Sequence, residues 1–193
     1  MTDSVLVAEH PAGDRVIGQL TLNVEKTLNS LTREMVEIIS DRLEAWAADD
    51  KVVAVFIDGA GEKAFCAGGD VQALRNSCIE TPGGPCEYAE HFFACEYRMN
   101  YLLHTYAKPL ICWGHGVVMG GGLGILAGCR YRVVSERTRI LDLRALRECS
   151  PYPRSSASGA SDGGDESGAG KALPVDDATT AAREGEGSSL QLV

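Results

Sequence analysis

A chain of 193 residues with 45% hydrophobic content can form one domain with a substantial core, and its 23% charged residues are ordinary for a globular protein. A formal net charge of −9 and a pI of about 4.9 argue against the clustered basic face that nucleic-acid binding needs, while a local site for a small anion stays open. No apolar stretch approaches the ~20 residues required to span a bilayer, so neither a nucleic acid nor a membrane is an expected partner.

The seven cysteines (66, 78, 86, 95, 112, 129 and 149) include no C-x-x-C pair and are odd in number. A disulfide framework or a zinc centre would show paired spacings, so the expectation is reduced, buried thiols and no metal. The N-terminus, MTDSVLVAEH, has neither a basic segment ahead of an apolar core nor an Arg-rich amphipathic pattern. The expected compartment is therefore the cytoplasm, with the mitochondrion left open.

Along the chain, Val5–Glu9 and Val16–Leu22 have the β-branched look of strands, with a turn at Gly13-Asp14. Thr32 is a good N-cap and Glu34 lies in the first turn, where the helix dipole favours an acid. Met35, Ile39, Leu43 and Trp46 then recur at helical spacing, which predicts an amphipathic helix over Arg33–Ala48. Val52–Ile57 is a continuous apolar run, as expected of a strand buried on both faces. Gly59 to Gly69 reads as a glycine-punctuated loop, after which Asp70 opens a short helix. Tyr88–His104 predicts a longer helix with Phe92, Cys95, Met99, Leu102 and Leu103 on one stripe. Pro109–Trp113 is a second buried strand, Gly120–Ala127 a helix, and Tyr131–Val134 a final strand. Strands alternating with helices define an α/β fold.

Beyond about Leu143 the periodicity stops. Ser155–Gly170 (SSASGASDGGDESGAG) is almost wholly Ser, Gly, Ala and acids. Such a segment cannot bury enough apolar area to offset ~1–2 kcal/mol of backbone entropy per residue. The expected organisation is a domain over residues 1–143 and a low-complexity, disordered tail over 144–193.

Two glycine motifs carry the chemistry. The first, Lys63-Ala-Phe-Cys-Ala-Gly-Gly-Asp70, lies between a strand and a helix, and Gly68-Gly69 lets backbone approach a ligand closely. Spacing alone fits a tight connection capped by Asp70 better than a ligand site. The second, Gly114-His-Gly-Val-Val-Met-Gly-Gly-Gly-Leu-Gly124, puts three consecutive glycines at a helix start, at a cost of roughly 1 kcal/mol each relative to Ala. Close helix packing and an anion or oxyanion site explain that run equally well. A dinucleotide fingerprint fails, because Met119 stands where the third glycine belongs. No G-x-S-x-G elbow, Walker A loop or H-E-x-x-H is present. Two backbone N–H donors, on separate strand-to-helix turns about fifty residues apart, can converge on one carbonyl oxygen.

At this point the residues become specific. The run from Leu22 to Ile140, about two-thirds of the chain, with LNSLT, AFCAGGD and HGxxMGGGLG, resembles the crotonase (enoyl-CoA hydratase/isomerase) superfamily. The resemblance implies a spiral of ββα units around an acyl-CoA thioester site, incomplete here. It places an oxyanion hole on the N–H groups of Gly69 and Gly121, with Ala67, Gly68 and Gly120 lining the substrate. Coenzyme A would arrive on the substrate, so no separate cofactor is implied. Superfamily members often form trimers, which makes a homo-oligomer a candidate assembly.

Gly124 occupies the position where hydratases of the superfamily carry a Glu that acts on water. Together with AFCAGGD and Phe92-Phe93-x-x-Glu96-Tyr97, it makes the chain similar to the 3-hydroxyisobutyryl-CoA hydrolases of valine breakdown. Glu96 carries over as a substrate-contacting residue. It falls within ~40° of Phe92 around the helix, and a carboxylate on the edge of an apolar stripe wants a partner or a task. His104 and His115 read as structural, and Cys66, between Phe65 and Ala67, reads as an inert thiol.

The hydrolase branch resembles A-M-P-E and then G-L-x-P-D-V-G-G after its E-R-T-R-I segment. Here Glu136–Ile140 is followed by Leu141-Asp-Leu-Arg-Ala, so Arg144 stands where the catalytic Glu belongs and no PDVGG follows. The abrupt change reads as a reading-frame shift or an alternative end. A thioester hydrolase is therefore expected by lineage. A catalytically impaired CoA-binding fragment is the alternative for this chain, and a hydratase or isomerase is a further one.

Overall fold

The computed structural model describes residues 3–141 and the backbone of Gln191–Leu192. Strands β1 (Val5–Ala12) and β2 (Arg15–Leu22) form an antiparallel hairpin closed by Gly13, whose φ of 69° is easy only for glycine. β1 runs through Pro11, which an edge strand tolerates because no ladder bond needs its missing N–H. A 3-10 turn at Glu25–Thr27 leads to α1 (Arg33–Ala48), which Thr32 caps by accepting from Met35 N at 3.3 Å. The C-terminal carbonyls of Trp46 and Asp49 are met by Lys108 Nζ.

The remaining elements repeat one unit: a strand in the main sheet, a short strand in a second sheet, then helix. β3 (Val52–Gly59), β4 (Ala64–Cys66) and α2 (Val71–Glu80) make the first turn, extended by α3 (Glu87–His104). β5 (Leu110–Gly114), β6 (Val117–Met119) and α4 (Gly121–Gly128) make the second. β7 (Tyr131–Val134) and β8 (Arg139–Leu141) begin a third. The main sheet has the order β1-β2-β3-β5-β7-β9, with β9 being Gln191–Leu192, and the second sheet has β4-β6-β8. β2, β3, β5 and β7 are mutually parallel, as are β4, β6 and β8. This is the ββα spiral that the resemblance implies.

Leu20, Leu22, Leu31, Met35, Ile39, Leu43, Val55, Ile57 and Leu110 are fully enclosed, where α1 lies over the main sheet and α3 packs against α1. Gly18 lets α1 approach, since a Cβ there would come within 2.7 Å of the Trp46 ring. Trp46 Nε1 donates to Glu9 Oε1 at 2.9 Å, so the indole spends its polar edge while its rings fill the core.

Two expectations need correction. β3 is not buried on both faces: Val53, the extra residue at the register shift against β2, is exposed, and Ala54 and Phe56 are half-buried. β4 and β6 are strands where the sequence reads as loop. At three residues they are too short to show a period, and their partners are distant in sequence. Gln191–Leu192 pairs antiparallel with β7, whose outer edge offers unpaired backbone groups. Asp142, Arg144 and the rest of the tail lie outside the described residues.

Candidate functional site

The first glycine turn is held by its neighbours on the segment before α1. Leu31 N donates to Gly68 O at 2.8 Å, Asp70 N donates to Leu31 O at 2.9 Å, and Ala67 N donates to Leu28 O at 3.0 Å. This parallel bridge uses the groups flanking Gly69, so the Gly69 N–H is turned away from Leu31. It donates to no protein acceptor among the described residues. Asp70 then caps α2, accepting from Gln72 N at 3.0 Å and Ala73 N at 3.1 Å.

One residue that sequence reasoning missed locks this turn in place. Asn29 is wholly buried at a left-handed φ of 55°. Its Oδ1 accepts from Val24 N at 2.9 Å, and its Nδ2 donates to Ala60 O and Ala64 O, each at 3.0 Å. A buried amide with three backbone partners on both sides of the loop fixes that loop relative to α1. The LNSLT string was the available signal.

The second turn follows β6. Gly120, at φ 54° and ψ −122°, adopts a conformation that a side chain would strain, and it precedes α4 as N-cap. Gly121 opens the helix, so its N–H has no intrahelical acceptor, and none is found elsewhere among the described residues. Gly122 packs against Cys66, where a Cβ would stand 2.5 Å from the Cys66 carbonyl oxygen. A Cβ on Gly124 would stand 3.0 Å from the Asn100 side chain. The glycine run thus serves both close packing, at Gly122 and Gly124, and bare backbone, at Gly120 and Gly121.

The two turns touch. A Cβ on Gly68 would lie 3.2 Å from Met119 O and 3.7 Å from Gly121 N, and one on Gly120 would lie 3.3 Å from Gly68 Cα. α3 closes the arrangement from the side. The Phe92 ring stands 3.1 Å from the Cβ position of Gly69, and Glu96 Oε1 fills the Cβ position of Gly121, with Leu31 Cδ1 2.8 Å from it. Glu96 is only 7% exposed, and its carboxylate makes no hydrogen bond or ion pair with the described residues. Burial pushes its pKa above the ordinary 4.5.

The enoyl-CoA hydratase/isomerase family model matches residues 17–141, which takes in both turns and α3. The chain belongs to this family. It is 40% identical over 121 residues to the mitochondrial 3-hydroxyisobutyryl-CoA hydrolase of Danio rerio, covering 63% of this chain and 31% of that one. It is 39% identical over 117 residues to the small ribosomal subunit protein mS47 of Neurospora crassa, covering 61% and 23%. Among solved structures, a carnitinyl-CoA dehydratase from Mycobacterium thermoresistibile superposes with a TM-score of 0.66 at 42% identity, over 73% of this chain and 39% of that one. An enoyl-CoA hydratase from Rhodobacter sphaeroides 2.4.1 gives the same TM-score at 34% identity, over 72% and 40%. The match spans less than a third of the length of these two curated relatives. The hydrolase relative bears a mitochondrial name, so the expected cytoplasmic placement gains no support; no described helix is long and apolar enough to cross a membrane.

Within this family member, the other candidate groups sort out by burial. Cys66 is pushed up to about 12, by burial first and with the Glu96 charge acting in the same direction, which fits an inert thiol. His104 is exposed at the end of α3. His115 lies at the corner between the two sheets, where neither ring nitrogen has a partner and Asp58 Oδ1 is likewise unpartnered. These residues line a cleft of about 520 Å³ together with Trp113, Ser135 and Arg137. Neither this cleft nor those of about 440 and 430 Å³ among the described residues is lined by Gly69, Gly121 or Glu96; Leu31, Phe92 and Glu96 fill the space beside the turns. The sequence reading also missed Asn100, one turn beyond Glu96 on the same stripe, whose Oδ1 is buried without a partner. Glu37, His91 and Cys95 place one potential ligand atom each within 4.8 Å of one another, with Glu37 and His91 exposed. Glu37 already pairs with Arg33 at 3.3 Å.

The raised Glu96 pKa has a testable sign. A folded pKa above the unfolded one stabilises the fold below the ordinary carboxylate range, and that stability is lost as pH rises through the folded value. Glu96→Gln removes this dependence. The melting temperature of the variant minus that of the unmodified chain should therefore grow from about pH 4 to about pH 7. A difference that is flat with pH, followed by differential scanning fluorimetry, would show that Glu96 is not desolvated.

Proposed function

We propose that this chain binds a short β-hydroxyacyl-CoA thioester of the 3-hydroxyisobutyryl type, as a member of the hydrolase branch of its family. The observation that carries the reading is the contact between two glycine turns whose Gly69 and Gly121 amides are both free, with Glu96 buried beside them. The thioester carbonyl oxygen accepts from both N–H groups, which oppose the negative charge that develops on it as water adds. Each such donor is worth ~3–4 kcal/mol in the transition state. Glu96 accepts a hydrogen bond from the substrate's β-hydroxyl, while Ala67, Gly68 and Gly120 leave room for the acyl chain. Gly124 argues against hydration, since Asn100 rather than a carboxylate occupies that neighbourhood.

Isothermal titration with 3-hydroxyisobutyryl-CoA tests the reading directly. Gly121→Ala pushes a methyl group into Glu96 Oε1 and Leu31, so affinity should fall at least ~10-fold, or about 1.4 kcal/mol. Unchanged affinity in a variant with unaltered circular dichroism removes Gly121 from the site, and no binding by the unmodified chain removes the proposal.

The mS47 relative favours a second reading. A chain of this fold can serve as a protein-assembly component, because a fold does not dictate an activity. Thioester binding separates the two readings.

A further inference from the structure

The sequence offers no paired cysteine motif, yet the fold brings two cysteines together outside the glycine site. Cys78 lies in the last turn of α2, and Cys86 is the N-cap of α3. The connection between them, Ile79–Pro85, holds Pro82-Gly83-Gly84-Pro85, with Gly83 at φ 78°. That turn reverses the chain and sets Cys78 Sγ 2.9 Å from Cys86 Sγ, with Ser77 Oγ 3.2 Å from Cys86 Sγ. A disulfide needs the sulfurs at ~2.05 Å, so closing this pair takes a displacement of less than ~1 Å. Both residues are reduced, and Cys78 is exposed, so an oxidant reaches the pair from solvent.

We infer that Cys78 and Cys86 form a reversible dithiol–disulfide site that ties the end of α2 to the start of α3. The two thiols are not equivalent. Cys86 lies below the ordinary thiol range, because Cys78 and then Ser77 hydrogen-bond to it and the first-turn amide of Ala89 adds to them, whereas the same bond raises Cys78. Cys86 is thus the attacking group and Cys78 the resolving one. The Cys86 thiolate attacks one oxygen of a hydroperoxide, breaking the O–O bond. With hydrogen peroxide and one proton it gives the sulfenic acid and water. The Cys78 sulfur then attacks the sulfenic sulfur. The S–S bond forms, the S–OH bond breaks, and the thiol proton leaves with hydroxide as a second water. Two thiols are oxidised by two electrons and the peroxide is reduced by two. A dithiol reductant reverses the reaction by exchange.

The tie matters because α2 is loosely held. It contains no fully buried residue, and Val71 and Ile79 are 71% and 56% exposed. Its first residue follows Asp70, directly after the Gly68-Gly69 turn, and α3 carries Phe92 and Glu96. A covalent link between the two helices therefore ties the helix that leaves the first glycine turn to the helix that sets Phe92 and Glu96 against both turns.

The test uses the unmodified chain, treated with stoichiometric hydrogen peroxide, blocked with N-ethylmaleimide and digested with trypsin plus a glutamate-specific protease. Cleavage after Arg75, Glu80 and Glu87 leaves Cys78 in Asn76–Glu80 and Cys86 in Thr81–Glu87, each the sole cysteine of its fragment. The expected product is these two fragments joined by a disulfide that dithiothreitol releases. Both fragments carrying N-ethylmaleimide while other cysteines are oxidised overturns the inference, as does either cysteine linked to a different partner. In Cys78→Ser, Cys86 should accumulate as a sulfenic acid trapped by dimedone. In Cys86→Ser, oxidation of Cys78 should slow at least ~10-fold. Equal rates at the two cysteines would reject Cys86 as the attacking thiol.

Discussion

Asn29→Leu should cost this chain about 3–5 kcal/mol of folding stability. The amide of Asn29 satisfies Val24 N–H, Ala60 C=O and Ala64 C=O. Leucine fills similar volume but meets none of them, and a buried backbone group without a partner costs about 1–3 kcal/mol. The left-handed φ of 55° adds strain, since leucine adopts that region less readily than asparagine. Relaxation and entering water recover part of the sum, which keeps the expected loss below the total of three orphaned groups. Against the ~5–15 kcal/mol stability of typical domains, the loss takes a large share. Denaturant unfolding measures it, and a loss below about 1 kcal/mol would mean the loop is held by something other than Asn29. Asn29→Asp separates the partners. It keeps an acceptor for Val24 N–H but sets a charge against two carbonyl oxygens, so it should be no milder than leucine.

That residue shows which parts of the molecule could be read in advance. α1 was legible because Met35, Ile39, Leu43 and Trp46 each face the core at helical spacing, so the sequence repeats what the packing demands. Glu96 was legible for the same reason: its angle from Phe92 put it at the margin of the buried stripe, and it is buried there. β4, β6 and β8 were not, because three residues carry no period and their only justification is one another. The apolar run of β3 does not reveal the register shift at which Val53 turns to solvent. Cys78 and Cys86 meet only because Pro82-Gly83-Gly84-Pro85 reverses the chain between two helices. Asn29 was visible as a letter in LNSLT, but its three partners lie up to 35 residues away.

Hydrolysis of 3-hydroxyisobutyryl-CoA by the purified chain should run several orders of magnitude below a family member that carries both catalytic carboxylates. Two backbone donors polarise a carbonyl, but they neither deprotonate water nor supply a nucleophile. Residual catalysis from an oxyanion site alone amounts to roughly 10³–10⁴ over water, a small part of an ordinary enzyme's acceleration. In this sequence Gly124 removes one superfamily position for a carboxylate, and Arg144 takes the place of another. Asp142 is the acid nearest that position in the sequence. Glu96 is the carboxylate beside the glycine turns among the described residues, and its burial makes it a stronger base than an exposed acid, although its place beside Gly121 suits substrate contact. A steady-state assay of released thiol decides the matter. Turnover in the ordinary range of ~1–10³ per second would overturn the expectation. Asp142→Asn and Glu96→Gln would then identify the working base, because only the substitution that abolishes turnover while sparing thioester affinity removes the group that activates water.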